Sequence, residues 1–164
     1  MLEQEHIELS KMRLRKSKKC YLTAMQDAKY GDYDSANNRA YYSMFHAIRA
    51  LLALESVDFK KHTHAIGYFN KTYVHAGHID ASFFSMVRNA SDSRNKSDYN
   101  DYYEATPEEA GRNIENANKF HEAVIQYITA QLRAENIHEN LDEHTDYRNE
   151  PDYGSENDED DLEL

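Results

Sequence analysis

The stretch that most constrains this chain runs from Asn38 to Leu54, NRAYYSMFHAIRALLAL. Apolar residues at Ala36, Ala40, Tyr41, Met44, Phe45, Ile48, Leu51 and Leu52 recur with helical spacing, and no Gly or Pro interrupts them. A helix this apolar must be surrounded by others, so it is expected at the centre of a bundle. It also carries Asn38, Arg39 and His46 beside Tyr41 and Tyr42, more polar groups than a plain core helix needs.

The rest of the chain reads as helices around it. With five Gly and two Pro, breakers are too few for a many-turned β fold. A first helix is expected from about Glu3 to Tyr30, burying Ile7, Leu14, Tyr21, Met25 and Ala28. Gly31 ends it, and Asp32 caps a second helix beginning at Tyr33, so the two form an antiparallel hairpin. After a connector, a third segment runs from His62 to about His75, until Ala76-Gly77. Asp80 caps a fourth, Ala81 to about Lys96, whose stripe of Phe83, Val87 and Ala90 continues into Arg94. Ser97 to Ala105, SDYNDYYEA, reads as a Tyr-rich loop. Thr106-Pro107-Glu108-Glu109 signals a helix start with a capping box, and the last helix runs to about Glu135. Its buried face is Ala110, Ile114, Ala117, Phe120, Val124, Tyr127, Ile128 and Leu132. The fold expected is all-α: an up-and-down four-helix bundle with a short extra helical segment.

Charge divides the chain in two. Residues 135–164 hold 13 Asp/Glu and one Arg, whereas the rest holds 18 Lys/Arg and 17 Asp/Glu. The net charge of −11 therefore belongs to the tail. Residues 1–135 are expected to be the bundle, and 136–164 an acidic tail too poor in apolar clusters to order itself. The single Cys20 permits no internal disulfide and suits a reducing compartment. No apolar run reaches membrane length and MLEQEHIELS has no signal-peptide core, so a cytoplasmic protein is expected.

Several groups could carry chemistry. KMRLRKSKK places six basic residues between Lys11 and Lys19, either a solvated face or a patch that attracts phosphate. His62/His64 and His75/His78 lack the three- or four-residue spacing of ligands on one helix face, so no metal site is expected. Arg94 and Asp98, four apart, form either a helix-end ion pair or a guanidinium held for a phosphate. Tyr99, Tyr102 and Tyr103 could stack on bases, accept a nucleotidyl group, or pack across the end of the bundle.

These pieces together resemble a HEPN domain, the "higher eukaryotes and prokaryotes nucleotide-binding" superfamily, in its small stand-alone prokaryotic branch. The resemblance rests on Tyr30-Gly31-Asp32-Tyr33, then Asn38-Arg39-Ala40-Tyr41-Tyr42 with Phe45-His46. It continues through Lys61 with His62 and His64, Arg94 with Asp98-Tyr99, and the helix from Glu109-Ala110 to Phe120. It covers about residues 10–133. It implies a homodimer with Arg-bearing motifs from two protomers around one cleft. It also implies a role in toxin–antitoxin or phage-defence systems, commonly as a metal-independent ribonuclease without a cofactor. A minimal nucleotidyltransferase partner, which modifies a Tyr near the motif, is implied as well.

One departure matters. The nuclease branch places four to six residues between the Arg and a His, and here that window after Arg94 holds Tyr99, Asn100 and Asp101. Arg39…His46 and Arg133…His138 have the spacing, at a frequency that chance supplies. The first expectation is therefore a partner protein that binds nucleotide or RNA through Arg94, Asp98, Tyr99, Arg39 and Tyr41. The second is a divergent ribonuclease using Arg94 with His46 or Tyr99 in proton transfer. The third is a helical dimerisation scaffold whose acidic tail mimics nucleic acid. Tyr99, Tyr102 and Tyr103 are the candidate sites of modification.

Overall fold

The Asn38–Leu54 stripe lies in α2 (Tyr33–Leu54), and all eight of its apolar positions are buried. The computed structural model describes residues 1–141. Around α2 stand α1 (Gln4–Lys29), α4 (Ala81–Tyr99) and α5 (Pro107–Ala134), with the short α3 (His62–Phe69) completing the shell. Alpha3 runs on into a π-helical turn, Asn70–Val74. The described residues form an all-helical, four-helix bundle with a short extra segment, and no helix among them is long and apolar enough to cross a membrane.

The turn between α1 and α2 forms as its residues dictate. Gly31 takes φ +82°, where a side chain would be strained, and Asp32 accepts the Ser35 backbone N–H at 3.1 Å. The hairpin is then sewn by hydroxyls. Ser10 donates to the Ala50 carbonyl at 2.8 Å, while Ser17 and Ser43 each donate to the other's carbonyl at 2.7 and 2.8 Å. Small buried residues at Ala24, Ala36, Ala40 and Ala47 allow the close approach that these bonds need.

This packing corrects the expected face of the first helix. Met25 is 46% exposed, and Tyr21 and Ala28 are only half-buried. The buried positions are Ile7, Ser10, Arg13, Leu14, Ser17, Cys20 and Ala24. An apolar-only reading passes over serines and an arginine that reach carbonyls or a carboxylate.

A second correction concerns α4, which runs to Tyr99, so Ser97, Asp98 and Tyr99 are helix rather than loop. Two side chains of α2 hold this extra turn. Asn37 donates to Ser97 at 3.2 Å, and Asn38 donates to Asp98 at 2.8 Å. At the start of α5, Thr106 accepts the Glu109 N–H at 3.2 Å as expected of an N-cap. The Glu109 carboxylate does not close the capping box; it accepts the hydroxyls of Ser93 and Tyr103 instead.

Beyond α5 the chain reverses at Asn136, which has φ +58°. Ile137 and Leu141 pack on the core, and Glu139 pairs with Lys11 at 2.9 Å. Residues 142–164, most of the stretch expected to be a disordered acidic tail, lie outside the described residues.

Candidate functional site

Asn38, Tyr42, His46 and Arg49 recur at intervals of three or four, so they form one polar stripe on an otherwise apolar α2. Helix α4 lies against the first half of this stripe and brings Arg94 to it. Arg94 is 4% exposed. Its Nε pairs with Asp98 at 3.0 Å, and one Nη donates to the Tyr42 hydroxyl at 3.1 Å. The guanidinium carbon also lies 5.6, 5.4 and 5.5 Å from the ring centroids of Tyr41, Tyr42 and Tyr99. A buried cation is costly unless paired, and this one has a carboxylate, a hydroxyl and three ring faces.

Helix α3 supplies the next neighbour. His62 is buried, meets the Tyr41 hydroxyl through Nδ1 at 2.9 Å, and stacks on Phe45 with centroids 3.8 Å apart. Its ring lies 5.7 Å from that of Tyr42. The His46 ring centroid lies 6.1 Å from that of Tyr42. Tyr42 thus neighbours Arg94 and both histidines.

Burial holds the His46 imidazole well below its ordinary pKa, to about 3, and the charges of Lys16, Arg49 and Arg13 push the same way. The ring is neutral at pH 7. It is matched neither to give a proton nor, as so weak a base, to take one efficiently. The shift also has a consequence for stability. The unfolded imidazole binds a proton at about pH 6.5 and the folded one does not. Stability is therefore full above pH 6.5 and falls as the pH drops toward 3, by at most about 1.4 kcal/mol per unit from this group. Urea unfolding of the wild type and His46→Gln between pH 7 and 4 checks this: the gap between them should change with pH, and a constant gap refutes the assignment.

The expected binding residues separate in space. Arg94, Asp98 and Tyr99 come together. Tyr41 is 1% exposed and belongs to the core, reaching Arg94 only through its ring face. Arg39 lies toward α1, where its charge acts on Asp27. The loop tyrosines divide too: Tyr102 is 99% exposed, Tyr99 is 52% exposed, and Tyr103 donates to Glu109. Among the described residues no three His, Cys, Asp or Glu side chains converge as a metal site would require.

Arg49 was not named by sequence reasoning, and Tyr42 and His62 were named among the pieces of the resemblance without a role at the site. The i, i+4, i+8, i+11 recurrence of polar residues on α2 was the available signal for Tyr42 and Arg49. For His62 there was none, because its place depends on the path of the connector.

Comparison with known proteins adds the context. A family model described as HEPN domain matches residues 10–131. A protein of Methanocaldococcus jannaschii named "Putative toxin" is 30% identical over 106 residues, covering 63% of this chain and 72% of its own length. A UPF0332 protein of Thermotoga maritima is 28% identical over 120 residues, or 73% and 91% of the two chains. Another UPF0332 protein, from Archaeoglobus fulgidus, is 31% identical over 109 residues, or 66% and 86%.

Proposed function

This chain belongs to the HEPN domain family, and on that premise we propose that it is a toxin-like HEPN protein that binds RNA or a nucleotide across the Tyr42 face without cutting it. The observation that carries this reading is the state of His46. A metal-independent ribonuclease needs a group near neutral pKa to move the 2′-hydroxyl proton. His46 is held to about pKa 3, and its ring neighbours Tyr42, whose hydroxyl accepts from Arg94. Tyr99, the other candidate, offers Arg94 a ring face. Neither forms the pair of groups that cleavage would use.

Binding suits the same arrangement. Half-buried Tyr42 and exposed Tyr99 both lie against the guanidinium and offer aromatic surface on which bases stack. Arg94 holds that platform together, with Asp98 fixing its orientation. In this reading Arg94→Ala loses affinity for single-stranded RNA by roughly tenfold or more, on the scale of 1–3 kcal/mol per stacked base. Fluorescence anisotropy measures it, with circular dichroism confirming the helical content of the variant. Unchanged affinity in a folded Arg94→Ala, or RNA cleavage by the wild type that the variant lacks, overturns the reading.

The partner proposed is a minimal nucleotidyltransferase, and the assembly a homodimer within a toxin–antitoxin or defence system. If a nucleotidyl group is transferred to this chain, an accessible phenol must lose its proton and attack the α-phosphorus of a nucleoside triphosphate, with pyrophosphate leaving. Tyr102 is the most exposed of the three loop tyrosines, Tyr99 is next, and Tyr103 is engaged by Glu109. Peptide mass mapping after incubation with the partner and a nucleoside triphosphate should place the adduct on Tyr102 or Tyr99. An adduct on Tyr103 alone contradicts the ordering.

A further inference from the structure

Two features of the chain stand apart from the Arg94 site: the basic run of α1 and the acidic residues 142–164. The fold brings the second toward the first. Past the reversal at Asn136, Ile137 and Leu141 pack on the core. Between them Glu139 reaches back to α1 and pairs with Lys11 at 2.9 Å, beside Glu8 at 3.5 Å. The described chain thus ends two residues past an acid–base contact with α1.

Helical geometry continues that contact along α1. Lys11, Arg15, Lys18, Leu22, Met25 and Lys29 recur at intervals of four and three, so they form one lengthwise stripe. The stripe borders solvent. Leu22, Met25 and Lys29 are exposed, and Lys11, Arg15 and Lys18 are half-buried. Lys18 lies 5.2 Å from the centroid of the Tyr21 ring, and among the described residues no carboxylate pairs with Arg15, Lys18 or Lys29. Four bases and two apolar side chains with no acid among them suit an acidic segment that carries apolar residues. Residues 142–164 have that composition, with 11 Asp/Glu, one Arg, and Leu162 and Leu164. Their length suffices. The stripe is about 27 Å long at 1.5 Å per residue, and an extended segment of that many residues spans about 75 Å.

We infer that residues 142–164 dock on this stripe of their own chain. Their carboxylates lie against Lys11, Arg15, Lys18 and Lys29, and Leu162 and Leu164 cover Leu22 and Met25. Each such ion pair near the surface is weak, so the contact depends on their number and on the high effective concentration of a tethered segment. Docked there, the segment keeps the basic face of α1 from attracting other polyanions.

The test is carbodiimide coupling of amines to carboxylates in the full chain at low micromolar concentration, read by peptide mass mapping. Lys11 and Glu139, already paired, should be joined. Lys18 and Lys29 should be joined to carboxylates of residues 142–164, with yields that fall about threefold or more in salt of about 0.5 M, where screening is strong. An equal mixture of unlabelled and isotope-labelled chains identifies the source of the segment. Links within one isotope support docking on the same chain, and links of mixed isotope alone overturn it in favour of a second copy. Absence of any link from Lys18 or Lys29 to the segment also overturns it. A second measurement needs no coupling. The backbone amide resonances of residues 142–164 should differ between the wild type and Arg15→Glu/Lys18→Glu, with circular dichroism confirming the helical content of the variant. Identical resonances in the two proteins overturn the inference.

Discussion

Asp98→Ala is expected to lower stability by about 2–3 kcal/mol, well beyond the median of an exposed ion pair. The side chain of Arg94 is 5% exposed and that of Asp98 is 27% exposed, so the pair is neither fully buried nor a surface contact. Removing the carboxylate leaves the guanidinium in place with neutral neighbours that include the Tyr42 hydroxyl, the Asn95 amide oxygen and three ring faces, which offset only part of its charge. It also removes the acceptor for Asn38, and with it one tie that keeps the last turn of α4 helical. Asp98→Asn should cost less, since an amide oxygen can still accept from Asn38. Arg94→Met combined with Asp98→Ala should recover much of the loss, because a buried cation without its anion is worse than no ion pair. Urea midpoints at constant m-value measure all three. An Asp98→Ala effect below about 0.5 kcal/mol, the range of ordinary surface substitutions, contradicts the argument.

Phe120→Ala should produce a larger loss, about 3–5 kcal/mol. Phe120 is 1% exposed, and its ring lies 5.5 Å from Phe69 of α3 and 5.8 Å from Phe83 of α4. It therefore joins three helices at one point, and the cavity left behind is walled by rings that cannot all collapse into it. The midpoint of thermal unfolding should fall by roughly 10 °C, given the usual scaling for a chain of this size. Phe120→Leu, which keeps most of the volume, should cost under about 1.5 kcal/mol. Equal effects of the two substitutions would show that the aromatic junction is not well packed.

The fold was legible because its signals are local. The period of α2, Gly31 after α1, Asp32 and Asp80 as caps and Thr106-Pro107 at the start of α5 each act within a turn or two of the residue concerned. The misreadings came where a distant residue intervened. Met25 was placed inside by its hydrophobicity, but Ser10 and Ser17 take inward positions because carbonyls of α2 wait for them. The Tyr-rich stretch looked like loop from Ser97 on, yet Asn37 and Asn38 extend α4 to Tyr99.

The candidate site divides in the same way. Arg94 with Asp98 could be read from a separation of four, and the absence of a following His from the letters alone. The sequence by itself determined the helices, their order, the antiparallel first hairpin and the charge imbalance, since periodicity, caps and composition depend on neighbours along the chain. Only the tertiary structure decided that Tyr42 meets both Arg94 and His46, that Tyr41 is core, that the charge of Arg39 acts on Asp27, and that His46 is held neutral by burial among cations. The physical reason is that burial, desolvation and pairing are properties of space. A histidine's pKa and an arginine's reach are set by groups from other helices, and those meet only when the bundle closes.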